Sequence, residues 1–167
     1  MEHRKYYVHA DGLNDEKTKP LIDFINNTPG DLVIGLNCGG GSEAMRCFVQ
    51  QLLAENADRI TLVAMVGIYS AAFELFYKYD GVKVLTNGVA GMYHLASLNA
   101  HINANGNPEV GEAAAIFEGV KMTKLECDNF AASFMTPSEI KKYRKGEDVY
   151  FGFKRMKEIF PDVPTWN

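Results

Sequence analysis

The sequence has few cysteines, no long apolar run and no excess of positive charge, and each absence excludes a class of protein. Its three cysteines, Cys38, Cys47 and Cys127, are odd in number and widely spaced, so they indicate neither a zinc site nor a disulfide framework. No apolar run approaches the roughly 20 residues of a membrane-spanning helix, and residues 1–5 lack the apolar core of a signal peptide. The net charge of −4 argues against non-specific nucleic-acid binding. We therefore expect a cytoplasmic protein that binds no membrane, no nucleic acid and no metal.

Strand-like and helix-like segments alternate through all 167 residues. A chain of this length suits one domain with a buried core, so we predict a single domain over residues 1–167. The predicted strands cover residues 4–10, 32–36, 60–66, 82–85, 89–93 and 149–153. The predicted helices cover residues 13–27, 43–53, 71–79, 109–128, 137–145 and 154–160. This order indicates the α/β class, with a sheet built from repeated β-α units and covered by helices.

Local patterns support these elements. The second predicted helix has apolar residues at the i, i+3, i+4, i+7 and i+8 positions of one face: Met45, Phe48, Val49, Leu52 and Leu53. Ser42 is placed to cap that helix, and Thr136-Pro137-Ser138-Glu139 has the form of a capping box. Asn87-Gly88 predicts a turn between two strands, and residues 103–108 a loop.

Gly39, Gly40 and Gly41 follow a predicted buried strand and precede the second helix. Glycine lets a backbone approach a ligand closely, and the N–H groups at a helix start favour an anion. One glycine would indicate only a tight turn, whereas three beside a cap serine favour an anion or oxyanion site. The run also fits the dinucleotide fingerprint G-x-G-x-x-A, but the next strand ends at Gly67 without the carboxylate that would hold a ribose. We therefore expect no cofactor.

Ser70 stands where the third predicted strand meets its helix. A serine there is by default a helix cap. However, the carboxyl ends of neighbouring parallel strands meet at one sheet edge, and the preceding strand leads to the glycine run. The N–H of Ala71 is then expected to point toward the same space as those of Gly40 and Gly41. A hydroxyl beside such donors suits nucleophilic attack on a carbonyl carbon.

A serine is a weak nucleophile until a base removes its proton, and His94 is the candidate base. It ends a predicted strand with an apolar flank, 24 positions after Ser70. His3 lies at the terminus, His9 precedes a glycine turn, and His101 lies in a polar region. A half-buried histidine with no catalytic role is the alternative.

Several segments resemble the Clp protease proteolytic-subunit family, within the crotonase-like fold group. Asn37-Cys38-Gly39-Gly40-Gly41-Ser42 resembles the family's oxyanion strand end, Asn-Ser-Pro-Gly-Gly-Ser. Gly67-Ile68-Tyr69-Ser70-Ala71-Ala72 resembles its nucleophile segment, in the form found in Clp-type maturation proteases of phages and prophages. Gly91-Met92-Tyr93-His94 follows in family order.

The resemblance implies a ClpP/crotonase-like fold and a serine endopeptidase that acts on peptide or protein substrates. It implies Ser70 as the nucleophile and His94 as the base, with an oxyanion hole formed by the N–H group of Ala71 and that of Gly40 or Gly41. It also implies a homo-oligomer, because the family works in closed rings.

The chain departs from the family at the third catalytic residue. Ala131, Ala132 and Ser133 stand where the family has its aspartate. Asp128 is the nearest candidate, although a charged residue near a helix end is the more ordinary explanation. An incomplete triad predicts a slow enzyme.

Two other functions stay open on the sequence alone. One is a non-catalytic homologue kept for assembly or peptide binding, and the other is a crotonase-type acyl-thioester enzyme in which Ser70 is incidental. The short sequence ahead of the first strand argues against a loop that docks a partner ATPase.

Overall fold

Parallel strands dominate the fold. The structure, a computed structural model, describes residues 5–95 and 112–166. Within them, seven strands form one sheet: β1 (Lys5–Ala10), β2 (Asp31–Cys38), β3 (Ile60–Tyr69), β4 (Val82–Thr86), β5 (Ala90–Tyr93), β6 (Val149–Phe151) and β7 (Thr165–Trp166). Strands β1, β2, β3, β4 and β7 are neighbours in that order and pair in parallel, while β5 pairs with β3 and β6. The predicted α/β class is confirmed.

Six helices accompany these strands in the described part of the chain: α1 (Asp15–Asn27), α2 (Glu43–Glu55), α3 (Ala71–Lys78), α4 (Glu112–Ala132), α5 (Pro137–Tyr143) and α6 (Phe153–Ile159). The predicted loop at 103–108 and the predicted helix start at 109 lie outside the described residues. The chain divides into two compact units, Met1–Tyr93 with Tyr150–Asn167 and His94–Val149. No described helix combines the length and the apolar composition that a membrane span requires.

Alternate residues of β2 and β3 form a buried face of the sheet. Leu32 and Ile34 lie opposite Ile60 and Leu62 in the parallel register, and each is at most 1% exposed. Continuous aliphatic runs are typical of central parallel strands. Burial of each such side chain contributes about 1.5–3 kcal/mol, which explains why these two runs form the centre.

The register between β2 and β3 changes near their carboxyl ends. Leu36 lies opposite Ala64, whereas Cys38 lies opposite Ile68, so β3 advances four positions while β2 advances two. The side chain of Asn37 bridges this bulge, because its Oδ1 accepts a hydrogen bond from the N–H of Gly67 at 3.1 Å.

The predicted turn at Asn87-Gly88 connects β4 to β5 without forming a hairpin. Strand β4 pairs with β3 at Thr61–Ala64, and β5 pairs with β3 further along, at Gly67–Tyr69, both in parallel. Strand β3 has ten residues, so β4 can pair with its first part and β5 with its last part. The turn therefore displaces the chain sideways instead of reversing it.

The predicted apolar face of α2 is wrong at one position. Val49, Leu52 and Leu53 are buried as predicted, but Phe48 is 52% exposed. Arg46 is buried instead, at 5% exposure. It shares a helix stripe with Val49, and its guanidinium has a carboxylate partner in Glu74.

An aromatic cluster fixes α3 to its surroundings. The ring of Phe73 is fully buried and lies 5.4 Å from Phe151, 5.9 Å from Phe160 and 6.2 Å from Tyr93, measured between ring centroids. Close aromatic pairs add about 0.5–1.5 kcal/mol beyond the area they bury. The helix that follows Ser70 is therefore firmly anchored.

In the second unit, the predicted capping box is confirmed. The Oγ1 of Thr136 accepts a hydrogen bond from the N–H of Glu139, whose carboxylate accepts one from the N–H of Thr136. Pro137 takes the first helical position of α5, where its missing N–H costs no hydrogen bond.

Candidate active site

Ser70 occupies a sharp turn between β3 and α3. Its backbone angles are φ 55° and ψ −125°, and it is the only non-glycine residue with positive φ among those the structure describes. Such a conformation costs on the order of 1–3 kcal/mol and persists only where the surroundings enforce it. Here the N–H of Ser70 donates to the carbonyl of Met92 at 2.8 Å, and the carbonyl of Ser70 accepts from Glu74 N–H at 3.2 Å.

Ser70 occupies the N-cap position of α3, as predicted, but its side chain does not cap the helix. Ser42 holds the same position before α2, also without a side-chain cap, and its backbone is relaxed at φ −67° and ψ 132°. The strain at Ser70 is therefore not a general property of the two strand-to-helix turns.

Gly40 brings the glycine run against this turn. A Cβ built on Gly40 would lie 2.9 Å from the Cβ of Ser70, 2.9 Å from the carbonyl oxygen of Tyr69 and 3.3 Å from the backbone nitrogen of Ala71. The φ of Gly40 is +100°, in the region that favours glycine. Three of the predicted site residues, Gly40, Ser70 and Ala71, are thus brought together.

Gly41 is fixed by a bridge to Leu13. The N–H of Leu13 donates to the carbonyl of Gly40 at 3.1 Å, and the N–H of Ser42 donates to the carbonyl of Leu13 at 2.7 Å. A Cβ on Gly41 would overlap the carbonyl of Leu13. The N–H of Gly41 takes no part in the bridge, so the bridge orients this donor without consuming it.

Cys38 binds the N–H group of Gly40 and thereby distinguishes it from that of Gly41. Its thiol sulfur accepts a hydrogen bond from the N–H of Gly40 at 3.4 Å, which leaves the N–H of Gly41 as the better candidate for binding an oxyanion. Burial raises the pKa of the Cys38 thiol, an effect that the backbone hydrogen bond from Gly40 partly offsets. Cys38 therefore stays protonated at neutral pH and does not compete as a nucleophile.

The N–H of Ala71 is a second candidate donor. It is the first residue of α3, and the first N–H groups of a helix have no partner within the helix. The positive end of the helix dipole also favours a negative charge at this point.

His94 begins the second unit and pairs there with a carboxylate that the sequence did not indicate. Its Nδ1 lies 3.6 Å from Oδ1 of Asp148, and the two side chains are 36% and 47% exposed. Asp148 directly precedes β6, which pairs with β5, the strand that ends just before His94. The sequence does not show which strands are neighbours in the sheet, so it gave no direct sign that Asp148 lies beside His94.

The remaining predicted site residue, Asp128, lies in α4. Its Oδ1 is buried and has no hydrogen-bond partner among the described residues. Ser70 and His94 belong to different compact units, so the convergence of the pair stays a prediction, as does a role for Asp128.

The described residues hold no cluster of three or more His, Cys, Asp or Glu side chains suited to a metal ion. No protein-family model matches the chain, and no curated protein matches it. The assignment of a function therefore depends on the geometry and on the motifs.

Proposed function

We propose that the chain is a serine hydrolase that cleaves peptide bonds, with Ser70 as its nucleophile. The observation that carries the proposal is the strained backbone of Ser70 directly beside Gly40. In serine hydrolases, a nucleophile on a sharp strand-to-helix turn projects its Oγ toward the substrate. A purely structural cap needs no such strain, as Ser42 illustrates.

The N–H groups of Gly41 and Ala71 would form the oxyanion hole. The bridge to Leu13 fixes the first donor, and the anchored α3 fixes the second. Donors that are held in place before the reaction need no reorganisation in the transition state. One such donor is commonly worth about 3–4 kcal/mol of barrier.

His94 would act as the base, and Asp148 would orient it. The carbonyl of Met92 is bonded to the N–H of Ser70, and His94 follows Met92 by two residues in the chain. With Nδ1 directed at Asp148, Nε2 is the nitrogen that takes the serine proton. We assign the third role to Asp148 in place of Asp128, because Oδ1 of Asp148 lies within ion-pair distance of Nδ1 of His94.

In the proposed reaction, Oγ of Ser70 bonds to the carbonyl carbon of the peptide while its proton moves to Nε2 of His94. The carbonyl oxygen becomes an oxyanion held by the two N–H donors. The C–N bond then breaks, and the leaving amine takes the proton from His94. Water next gives a proton to His94 and bonds to the acyl carbon, and Oγ of Ser70 recovers that proton as the acid product leaves.

Peptides are the proposed substrate because the order of the motifs resembles that of Clp-type peptidases. A ClpP/crotonase-like fold, a cytoplasmic location and a homo-oligomeric assembly belong to the same proposal.

A fluorophosphonate probe tests the proposal, because it bonds to an activated serine oxygen with loss of fluoride. We expect the wild-type chain to gain one probe mass and Ser70→Ala to gain none. His94→Ala should label at least about a hundredfold more slowly, since general-base catalysis contributes roughly that much. Ser42→Ala is the matched control and should label like the wild type.

Two outcomes would overturn the proposal: no labelling of the wild type at neutral to mildly alkaline pH, or undiminished labelling of Ser70→Ala. Cleavage of a fluorogenic casein by the labelling-competent chain supports a peptidase. Hydrolysis of a coenzyme A thioester without casein cleavage would favour the acyl-thioester enzyme instead.

A further inference from the structure

Two charged side chains are buried in the first unit, beside the candidate site. Arg46 in α2 and Glu74 in α3 are 5% and 8% exposed, and only Thr18 joins them as a buried polar residue in the described part of the chain. The Nη2 of Arg46 lies 3.4 Å from Oε1 of Glu74. Burying an ion pair seldom adds net stability, because the loss of hydration offsets the attraction.

The pair belongs to a network with little unmet hydrogen bonding. The Nε of Arg46 donates to Glu43 at 2.8 Å, and its Nη1 donates to Gln50. Glu74 also pairs with Lys78 at 2.5 Å and accepts a hydrogen bond from the hydroxyl of Tyr93 at 3.4 Å. Although burial opposes its charge, the carboxylates of Glu43 and Glu74 raise the pKa of Arg46, so Arg46 stays charged.

The elements that the network joins are those that carry the proposed catalytic groups. Helix α2 follows the glycine run, and Glu74 lies one turn after Ser70, to which its N–H is bonded. Tyr93 is the residue before His94. A single carboxylate, that of Glu74, thus contacts side chains from the other two elements.

We propose that Glu74 is a positioning residue, which through Arg46 and Tyr93 keeps α2, α3 and the end of β5 in the arrangement that the reaction needs. This role rests on the proposed function. It accounts for a buried ion pair at a place where apolar residues of similar size would serve stability equally well.

The test replaces the pair by apolar side chains, in the double variant Arg46→Met with Glu74→Leu. Such replacements often leave stability unchanged or raise it. We expect a thermal midpoint no lower than that of the wild type, but a maximal labelling rate with fluorophosphonate that falls about tenfold to a hundredfold. The half-saturating probe concentration should change little, because the network does not contact the probe.

The matched control is Arg155→Met with Glu158→Leu, which removes an ion pair of the same types from α6. It should label like the wild type. Glu74→Gln keeps the side-chain shape and removes the charge, and it should also lower the maximal rate. It carries the test if the double variant does not fold.

The outcomes separate the two proposals. A wild type that does not label overturns the proposed function and the positioning role with it. A wild type that labels, together with a folded double variant or Glu74→Gln that labels equally fast, overturns the positioning role alone.

Discussion

Gly40 and Ser70 lie so close that one added methyl group on Gly40 would come within 2.9 Å of the serine Cβ. Real Cβ atoms do not approach a neighbour that closely, so glycine is the residue that permits the two strand-to-helix turns to meet. The contact links the two motifs that the sequence shows only as separate segments.

Gly40→Ala should therefore abolish fluorophosphonate labelling and destabilise the protein. The strained φ costs about 1–2 kcal/mol, and the overlap with Ser70 adds about 1–3 kcal/mol. Gly88→Ala is the control, because Gly88 also has a positive φ, of +86°, but nothing lies within 4 Å of an added Cβ. Urea unfolding should show the larger loss for Gly40→Ala, and Gly88→Ala should keep the wild-type labelling rate. Equal effects of the two variants on both measurements would contradict the close contact.

Asp148→Asn should slow labelling at least about tenfold, because the neutral amide no longer stabilises the imidazolium that forms on His94. The pair is half-exposed, so solvent screening makes the loss smaller than for a buried aspartate. Glu147→Gln changes the adjacent exposed carboxylate and should have no effect. Asp128→Asn tests the residue that the sequence indicated. If Asp128→Asn slows labelling and Asp148→Asn does not, the sequence prediction is right and the assignment to Asp148 is wrong.

Arg59→Met should lower the free energy of unfolding by about 2–4 kcal/mol. The guanidinium of Arg59 donates to the carbonyls of Ile25 at 2.6 Å, Thr28 at 2.8 Å and Gly30 at 3.1 Å, and α1 has no basic residue in its own last turn. Hydrogen bonds from a charged donor are worth about 1.5–3 kcal/mol each, but Arg59 is only half-buried, so water can replace part of what the three carbonyls lose. Urea unfolding measures the loss. Arg59→Lys should recover only part of it, since one ammonium cannot reproduce the planar fork; full recovery would show that charge alone matters.

Tyr79→Phe should change how the free energy of unfolding depends on pH in the alkaline range. The hydroxyl of Tyr79 donates to the carbonyl of Ile60 at 2.8 Å, and burial, with a smaller effect from the charge of Asp58, raises its pKa from 10 to about 12. Because the unfolded chain loses this proton first, the stabilisation is complete below pH 10 and is lost as the pH rises toward 12. The wild type should therefore lose about 2 kcal/mol over that interval relative to Tyr79→Phe. Urea titrations at several pH values provide the measurement, and two parallel stability curves would contradict it.

The sequence predicted the elements well where a single local rule decides them. The apolar runs of β2 and β3 can be buried on both faces only at the centre of a sheet. The capping box before α5 forms its hydrogen bonds within four residues. The junction at Ser70 was also predicted, because it follows from where a strand ends and a helix begins.

The sequence could not predict what depends on distant partners. The burial of Arg46 requires Glu74, 28 positions later, and a helical wheel alone favours Phe48 for the buried position. The approach of Asp148 to His94 requires β6 to lie beside β5, and no local pattern specifies that pairing. The backbone strain at Ser70 likewise arises from surrounding contacts, not from its neighbours in the chain.

The bulge opposite Asn37 sets how far the serine stands from the glycines. Beyond the bulge, Cys38 lies opposite Ile68. If this register is continued by two residues, residue 40 is level with residue 70. With the earlier offset, Leu36 opposite Ala64, residue 40 would face residue 68, and the hydroxyl would stand about 6–7 Å further out along the strand. The bulge thus absorbs two additional residues of β3 and keeps Gly40 level with Ser70, whereas pairing the same sequence without a bulge would separate the two turns and leave every motif intact.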